Sequence, residues 1–210
     1  MKVAVVCANG KAGSLIVKEA VERGLDVTAI VRGSENKTVA KKCLHKDLFA
    51  LTTEDLKDYD AVVDAFGAWT PDTLHLHSDS LKHLCDILSG TKVRLLIVGG
   101  AGSLYVNKEH TLCVSDGPDF PDMFKPLAAA MAKALKELRT RNDVKWTYIS
   151  PACDFRADGA KTGGYILAGE ELTLNGKGES IIGYADYAVA VADEITSGNN
   201  IQKRISVVGK

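Results

Sequence analysis

The sequence predicts a doubly wound α/β fold with a mostly parallel sheet. Three observations carry that prediction. Short, continuous apolar and β-branched runs recur through the first two thirds of the 210 residues, amphipathic helical stretches alternate with them, and a glycine-bearing turn follows the first run. Continuous runs suit strands buried on both faces, and their alternation with helices gives right-handed βαβ crossovers with helices on both faces.

The elements follow in order. Val3–Cys7 reads as the first strand and Ala12–Arg23 as the first helix, closed by Gly24. Val27–Val31 and a weaker Cys43–Leu44 are the next strands, followed by a short helix at Thr53–Asp58 and a strand at Ala61–Phe66. A helix over Pro71–Leu88 takes Thr70 as N-cap and Pro71 as its first residue; Leu95–Val98 is a strand, and Pro126 opens a helix to Arg141. Trp146–Ile149 completes the series β-α-β-β-α-β-α-β-α-β. Beyond Pro151 the chain turns glycine-rich (Gly159, Gly163, Gly164, Gly169, Gly176, Gly178, Gly183), then offers a helix near Asp186–Thr196 with Asp186 as N-cap, and a last strand around Ile205–Val208. With no repeat or long linker, residues 1–210 read as one domain, with 151–183 as a small C-terminal cap.

Composition narrows the function. At 46% hydrophobic and 25% charged, with only 5 Pro, the chain is neither disordered nor collagen-like. Lys+Arg (26) balance Asp+Glu (27), so nothing favours non-specific binding to nucleic acid or an anionic membrane, and small-molecule partners are expected. Five scattered cysteines without a C-x-x-C pair suit free thiols in a reducing, cytoplasmic setting. The apolar start is too short for a signal segment, and no apolar stretch reaches about 18 residues.

Cys7-Ala8-Asn9-Gly10-Lys11-Ala12-Gly13 joins the first strand to the first helix. Such a turn brings backbone N–H groups and a helix N-terminus up to a pyrophosphate, with glycine where a Cβ would obstruct the cofactor or the helix–strand contact. A purely structural turn is the alternative. VCANGKAGS here, VTAIVR from Val27, VDAFG from Val63, VGGAGSLYV from Val98, WTYISP from Trp146, TGGY from Thr162 and YADYA from Tyr184 together resemble the atypical short-chain dehydrogenase/reductase proteins. The nearest branch is the NmrA-like, NAD(P)H-binding group that includes NADH-flavin reductases. The resemblance spans nearly the whole chain and implies a Rossmann-type fold. It places Cys7 at the first glycine of the family's G-x-x-G-x-x-G, while Gly10 and Gly13 match.

Arg32 stands 19 residues after Gly13, where an acidic residue would bind the ribose of NAD. An arginine can instead fork onto a 2′-phosphate, so NADP(H) is the expected cofactor, with NAD(H) as a possible substitute; a solvated loop residue is the alternative. Ser34 and Lys37 could assist. By resemblance, Asp47 lies along the adenine edge, or else forms a turn. Ala65, Phe66 and Gly67 present backbone to the nicotinamide ribose, or else pack a strand end. Gly100 is a further cofactor contact, and Ser103 lies in the segment that carries the catalytic serine of typical relatives. That serine works with a Tyr-x-x-x-Lys pair, and this sequence contains none. The helix after Ser103 offers Phe124, Lys125 and Lys133 instead, with Lys133 either a catalytic group or a surface lysine.

Without the pair, carbonyl reduction and epimerase or dehydratase chemistry lack their acid. Hydride transfer to a flavin or quinone-like acceptor needs ring stacking, with the proton drawn from water. Trp69, Tyr105, Phe155 and Tyr165 are the aromatics expected either to line such a pocket or to pack the core. His75, His77, Asp79 and His83 do not converge at helical spacing, so no metal is expected. Cys7, beside a helix N-terminus, is either a reactive thiol or a quiet one. The reading is an NADP(H)-binding oxidoreductase with flavin as a possible substrate. The alternative is an NmrA-like dinucleotide sensor that regulates a partner protein without turnover.

Overall fold

The computed structural model describes residues 1–210. The chain runs β1 (Lys2–Val6), α1 (Lys11–Glu22), β2 (Asp26–Val31), β3 (Lys42–His45), α2 (Thr53–Leu56), β4 (Ala61–Asp64), α3 (Leu76–Leu88) and β5 (Arg94–Val98). It continues through α4 (Lys125–Leu138), β6 (Lys145–Ser150), β7 (Asp154–Arg156), β8 (Tyr165–Ala168), β9 (Ile181–Gly183), α5 (Tyr184–Ser197) and β10 (Lys203–Gly209).

Eight strands form one sheet in the order β3-β2-β1-β4-β5-β6-β10-β8, and every pairing is parallel except that of β8 with β10. The order reverses between β1 and β4, where Val6 lies beside both Ile30 and Asp64. A doubly wound sheet opens its ligand crevice at that reversal, outside the carboxyl ends of the strands. Strand alternation divides the core: Val3, Val5 and Val63 face α1 and α5, whereas Ala4, Val6 and Val62 face α3 and α4.

Punctuation residues act as the sequence implies, with two corrections. Gly24, at φ +77°, follows the C-cap Arg23, and Gly24 N donates to Val21 O at 2.9 Å while Leu25 N donates to Ala20 O at 3.1 Å, a Schellman closure. The Pro71–Leu88 stretch divides into a 3-10 turn at Pro71–Thr73 and α3. Asp186 is not the N-cap of α5. Gly183 holds that place, and the Asp186 carboxylate, buried in the first turn, accepts from Thr162 N, Thr162 Oγ1 and Gly163 N at 2.9, 2.7 and 2.8 Å.

Strands β7, β8 and β9 lie outside the sequence expectation because each is short and none is a continuous buried run. β7 and β9 pair in a separate two-stranded sheet. All five cysteines are free, and no helix is long and apolar enough to cross a membrane.

Candidate functional site

The β1–α1 turn is built from backbone. Gly10 N donates to Cys7 O at 3.0 Å, Ser14 N donates to Gly10 O at 2.8 Å, and Gly10 caps α1 without a side chain. No acidic residue stands in the first turn, so the Lys11, Ala12 and Gly13 amides face outward without a protein acceptor. A Cβ on Gly13 would lie 2.8 Å from Cys7 O and 3.1 Å from the Ala8 backbone, and one on Gly10 would lie 3.2 Å from Cys7 O.

Cys7 has φ +57°, a left-handed conformation that costs a side-chain-bearing residue roughly 1–2 kcal/mol. That conformation explains why a glycine suits the position. Burial and the nearby Asp64 and Asp47 push the thiol up to about 12, so it stays protonated and unreactive. Cys7→Gly is expected to stabilise the chain by about 0.5–1 kcal/mol, the strain relieved less the entropy of a new glycine, with undiminished dinucleotide affinity. Urea denaturation and calorimetric titration check both.

Asn9 connects this turn to the β2–β3 loop. Its Nδ2 donates to Glu35 O at 2.8 Å, and its Oδ1 accepts from Lys37 N at 2.8 Å. On the far side, His45 Nδ1 bonds Gly33 O at 2.8 Å. The loop is thus pinned at both ends, and Arg32 stands exposed at its root, its guanidinium in no ion pair or hydrogen bond. Asp47 has a turn-forming role: its carboxylate accepts from Phe49 N at 2.9 Å and caps a 3-10 turn.

Beyond β4, Ala65, Phe66 and Gly67 continue along the strand ends. Phe66 meets His77 edge-on at 5.7 Å, and Trp69, 70% exposed, stands over Gly67. Beyond β5, Gly100 N donates to Tyr148 Oη at 3.2 Å, and a Cβ on Gly99 would overlap the Tyr148 ring. Between these strand ends and helices α3 and α4 lies a cavity of about 20 Å³, lined by Asp64, His77, Ser80, Met131 and Tyr148 among others.

Asp64 is the polar residue most out of place. It is buried, accepts one hydrogen bond from Phe66 N at 3.0 Å and meets no cation, and burial raises its carboxyl to about 6. An acid whose folded-state value exceeds its unfolded value carries no penalty below about pH 4 and destabilises the fold progressively as pH rises through 6. Asp64→Asn is therefore expected to add about 2–3 kcal/mol of stability at pH 8 and almost none at pH 4, read from denaturation midpoints.

Other candidate residues are engaged elsewhere. Ser103 accepts hydrogen bonds from Arg204 Nη1 at its Oγ (3.1 Å) and its carbonyl (2.9 Å). The Arg204 side chain, wholly buried on β10, pairs with Glu170, which also receives Arg139 at 2.6 Å. Tyr105 lies beneath the Arg204 guanidinium, 5.5 Å from ring centre, and stacks on His110. Lys133 is exposed beside Glu137, Phe155 packs on Tyr184 and Tyr187, and Tyr165 donates to Asp193 on α5 at 2.7 Å. His77 and His83 bond the backbone carbonyls of Ala68 and Leu51, and no group of three potential ligands converges on a metal. The turn, the Arg32 loop, Ala65–Gly67, Trp69 and Gly100 thus follow the carboxyl ends of β1, β2, β4 and β5, while the Ser103, Tyr105, Lys133, Phe155 and Tyr165 side chains serve other contacts.

A family model described as NAD(P)H-binding matches residues 7–195. The chain belongs to that family. A crystal structure from Streptococcus pneumoniae named "a putative NADH-flavin reductase" is 57% identical, covers 100% of both chains and superposes with a TM-score of 0.97. The uncharacterized Bacillus subtilis protein YwnB is 44% identical over 100% of this chain and 99% of its own. A "putative epimerase" from Bacteroides thetaiotaomicron is 31% identical, with 99% of this chain and 96% of that one covered and a TM-score of 0.86. The turn fits the family's cofactor: its glycines let the start of α1 pack against the Cys7 and Ala8 backbone, where a Cβ would clash, and three helix-terminal amides are left without a protein acceptor.

Proposed function

We propose that the chain binds NADP(H) in preference to NAD(H) and passes a hydride to a flavin or quinone-like acceptor. The observation that carries the reading is an exposed flat indole, Trp69, beyond the end of β4, with the two groups expected to serve a carbonyl engaged elsewhere, Ser103 with Arg204 and Lys133 at the surface beside Glu137. The streptococcal relative's name agrees with it.

The nicotinamide ring supplies the hydride when bound. The Lys11–Gly13 amides hold the pyrophosphate, and Arg32 engages the 2′-phosphate. Gly99 and Gly100 let Tyr148 and Met131 pack closely against the end of β5, and Trp69 offers a face on which a flat acceptor can stack. Water supplies the proton, because the Ser103 oxygen is turned to Arg204 and Lys133 lies at the surface. Residues 1–210 act as one NAD(P)-binding domain with 151–183 as its cap, and five free cysteines favour a reducing, cytoplasmic setting.

Purified protein should oxidise NADPH with free flavin or a quinone and turn over simple aldehydes poorly. Robust carbonyl reduction would overturn the reading. Arg32→Ala should weaken NADPH by about 1.5–3 kcal/mol and NADH far less, because one charge-assisted contact is lost; equal losses by titration calorimetry would remove the 2′-phosphate role. The same engagement of Ser103 and Lys133 favours a second reading, a redox sensor. It expects tight dinucleotide binding without turnover, and a partner protein captured differently in the presence of NADP⁺ and NADPH.

A further inference from the structure

We propose that Asp64 sets the chain's discrimination between oxidised and reduced nicotinamide, its buried carboxylate favouring the cationic oxidised ring. The proposal rests on the dinucleotide-binding reading above and adds to it a residue that chooses between redox forms.

The placement follows from topology. The strand order reverses between β1 and β4, and a dinucleotide lies across such a reversal. Arg32 at the end of β2 draws the adenosine half over β2 and β3, so the nicotinamide half falls over β4, β5 and β6. Asp64 is the last residue of β4, in register with Val6 on one side and Ile97 on the other. Its Oδ1 accepts from Phe66 N, no second hydrogen bond reaches the carboxylate, and the residue lines the cavity beneath the strand ends.

Every other titratable group around Asp64 keeps its charge near neutral pH. Beyond β1, Cys7 is held protonated at about 12, and from β6 Tyr148 is likewise pushed up to about 12 by burial. From α3, Cys85 is raised to about 12, and burial lowers His77, whose Nε2 bonds Ala68 O, so that it is uncharged at neutral pH. β5 and α4 contribute only Ile97, Val98, Met131 and Ala134 to the same cavity. Asp64, raised to about 6, is the carboxyl of this cluster and gains its negative charge on passing from acid to neutral conditions.

Oxidised and reduced cofactors differ by one positive charge on the ring and are otherwise the same ligand. An ionised carboxylate in a water-poor crevice therefore favours the oxidised form, and by linkage the oxidised form keeps Asp64 ionised. A unit charge about 10 Å away at an effective dielectric of about 20 shifts the preference on the order of tenfold.

The test is equilibrium binding of NAD⁺ and NADH at about pH 5.5 and about pH 8. These forms are used because a 2′-phosphate titrates near pH 6 itself. The parent should shift its NAD⁺-to-NADH preference roughly threefold toward NAD⁺ at the higher pH, because Asp64 is already partly ionised at the lower one. Asp64→Asn, which keeps the oxygen that accepts from Phe66, should hold one preference at both. A flat profile in the parent overturns the proposal without any variant, as does an equal shift in folded Asp64→Asn. Failure of the parent to bind either dinucleotide would overturn the cofactor reading and this proposal with it, whereas binding with a pH-independent preference overturns the proposal alone.

Discussion

Replacing Gly13 by valine is expected to lower dinucleotide affinity by at least about 100-fold, some 2.7 kcal/mol, while the sheet stays folded. The argument is steric and local. A Cβ at this position meets Cys7 O at 2.8 Å and Ala8 at 3.1 Å, all of them backbone atoms that no rotamer change can move aside. The turn must open or α1 must tilt, and either response moves the three outward amides. Gly13→Ala, with the same Cβ and no branch, should show an intermediate loss. Calorimetric titration reports affinity and far-ultraviolet circular dichroism the fold; undiminished affinity in a folded Gly13→Val variant would remove the turn from the site.

Arg204→Met should cost about 3–5 kcal/mol of stability, the largest effect on folding expected from any single substitution considered. The wholly buried guanidinium satisfies Glu170 and both oxygens of Ser103, and methionine replaces its volume but none of its donors. Glu170 would keep Arg139, yet the Ser103 carbonyl would keep only the weak Cys113 thiol donor at 3.7 Å. Ser103→Ala leaves that carbonyl bond in place and should cost only about 1 kcal/mol, with a modest effect on turnover. A urea series distinguishes them; equal and small losses would show that the cluster is held by Glu170 and Arg139 without Arg204.

Local and periodic features were legible in the sequence. Runs such as Val3–Val6 and Ala61–Val63 announce central parallel strands because both faces of each are apolar, and Gly10, Gly13 and Gly24 announce turns because backbone geometry is written in single residues. What escaped depends on partners distant in the chain. Arg204 meets Ser103 across 101 residues and Tyr165 meets Asp193 across 28, and nothing in either neighbourhood encodes the pairing. Asp64 left a trace that could have been read: an acid inside the apolar run Ala61–Ala65, where a buried strand has no solvent to offer it. Cys7 left one too, since its place in the glycine pattern foretells the positive φ that the structure records.

The first helix is fastened by the last quarter of the chain. Arg23 bonds Asp193 at 2.6 Å across 170 residues, Lys161 reaches Glu19 at 2.5 Å across 142, and buried residues of α5 share one core with Ile16, Val17 and Ala20. A chain still emerging from synthesis would therefore carry the complete glycine turn in sequence long before the helix behind it had anything to rest on. Closing loops of that length is slow and is rewarded only when both ends are present. Competence to hold a dinucleotide thus arrives late and all at once, with α5 in place, so that bound cofactor reports a finished fold rather than a finished N-terminus.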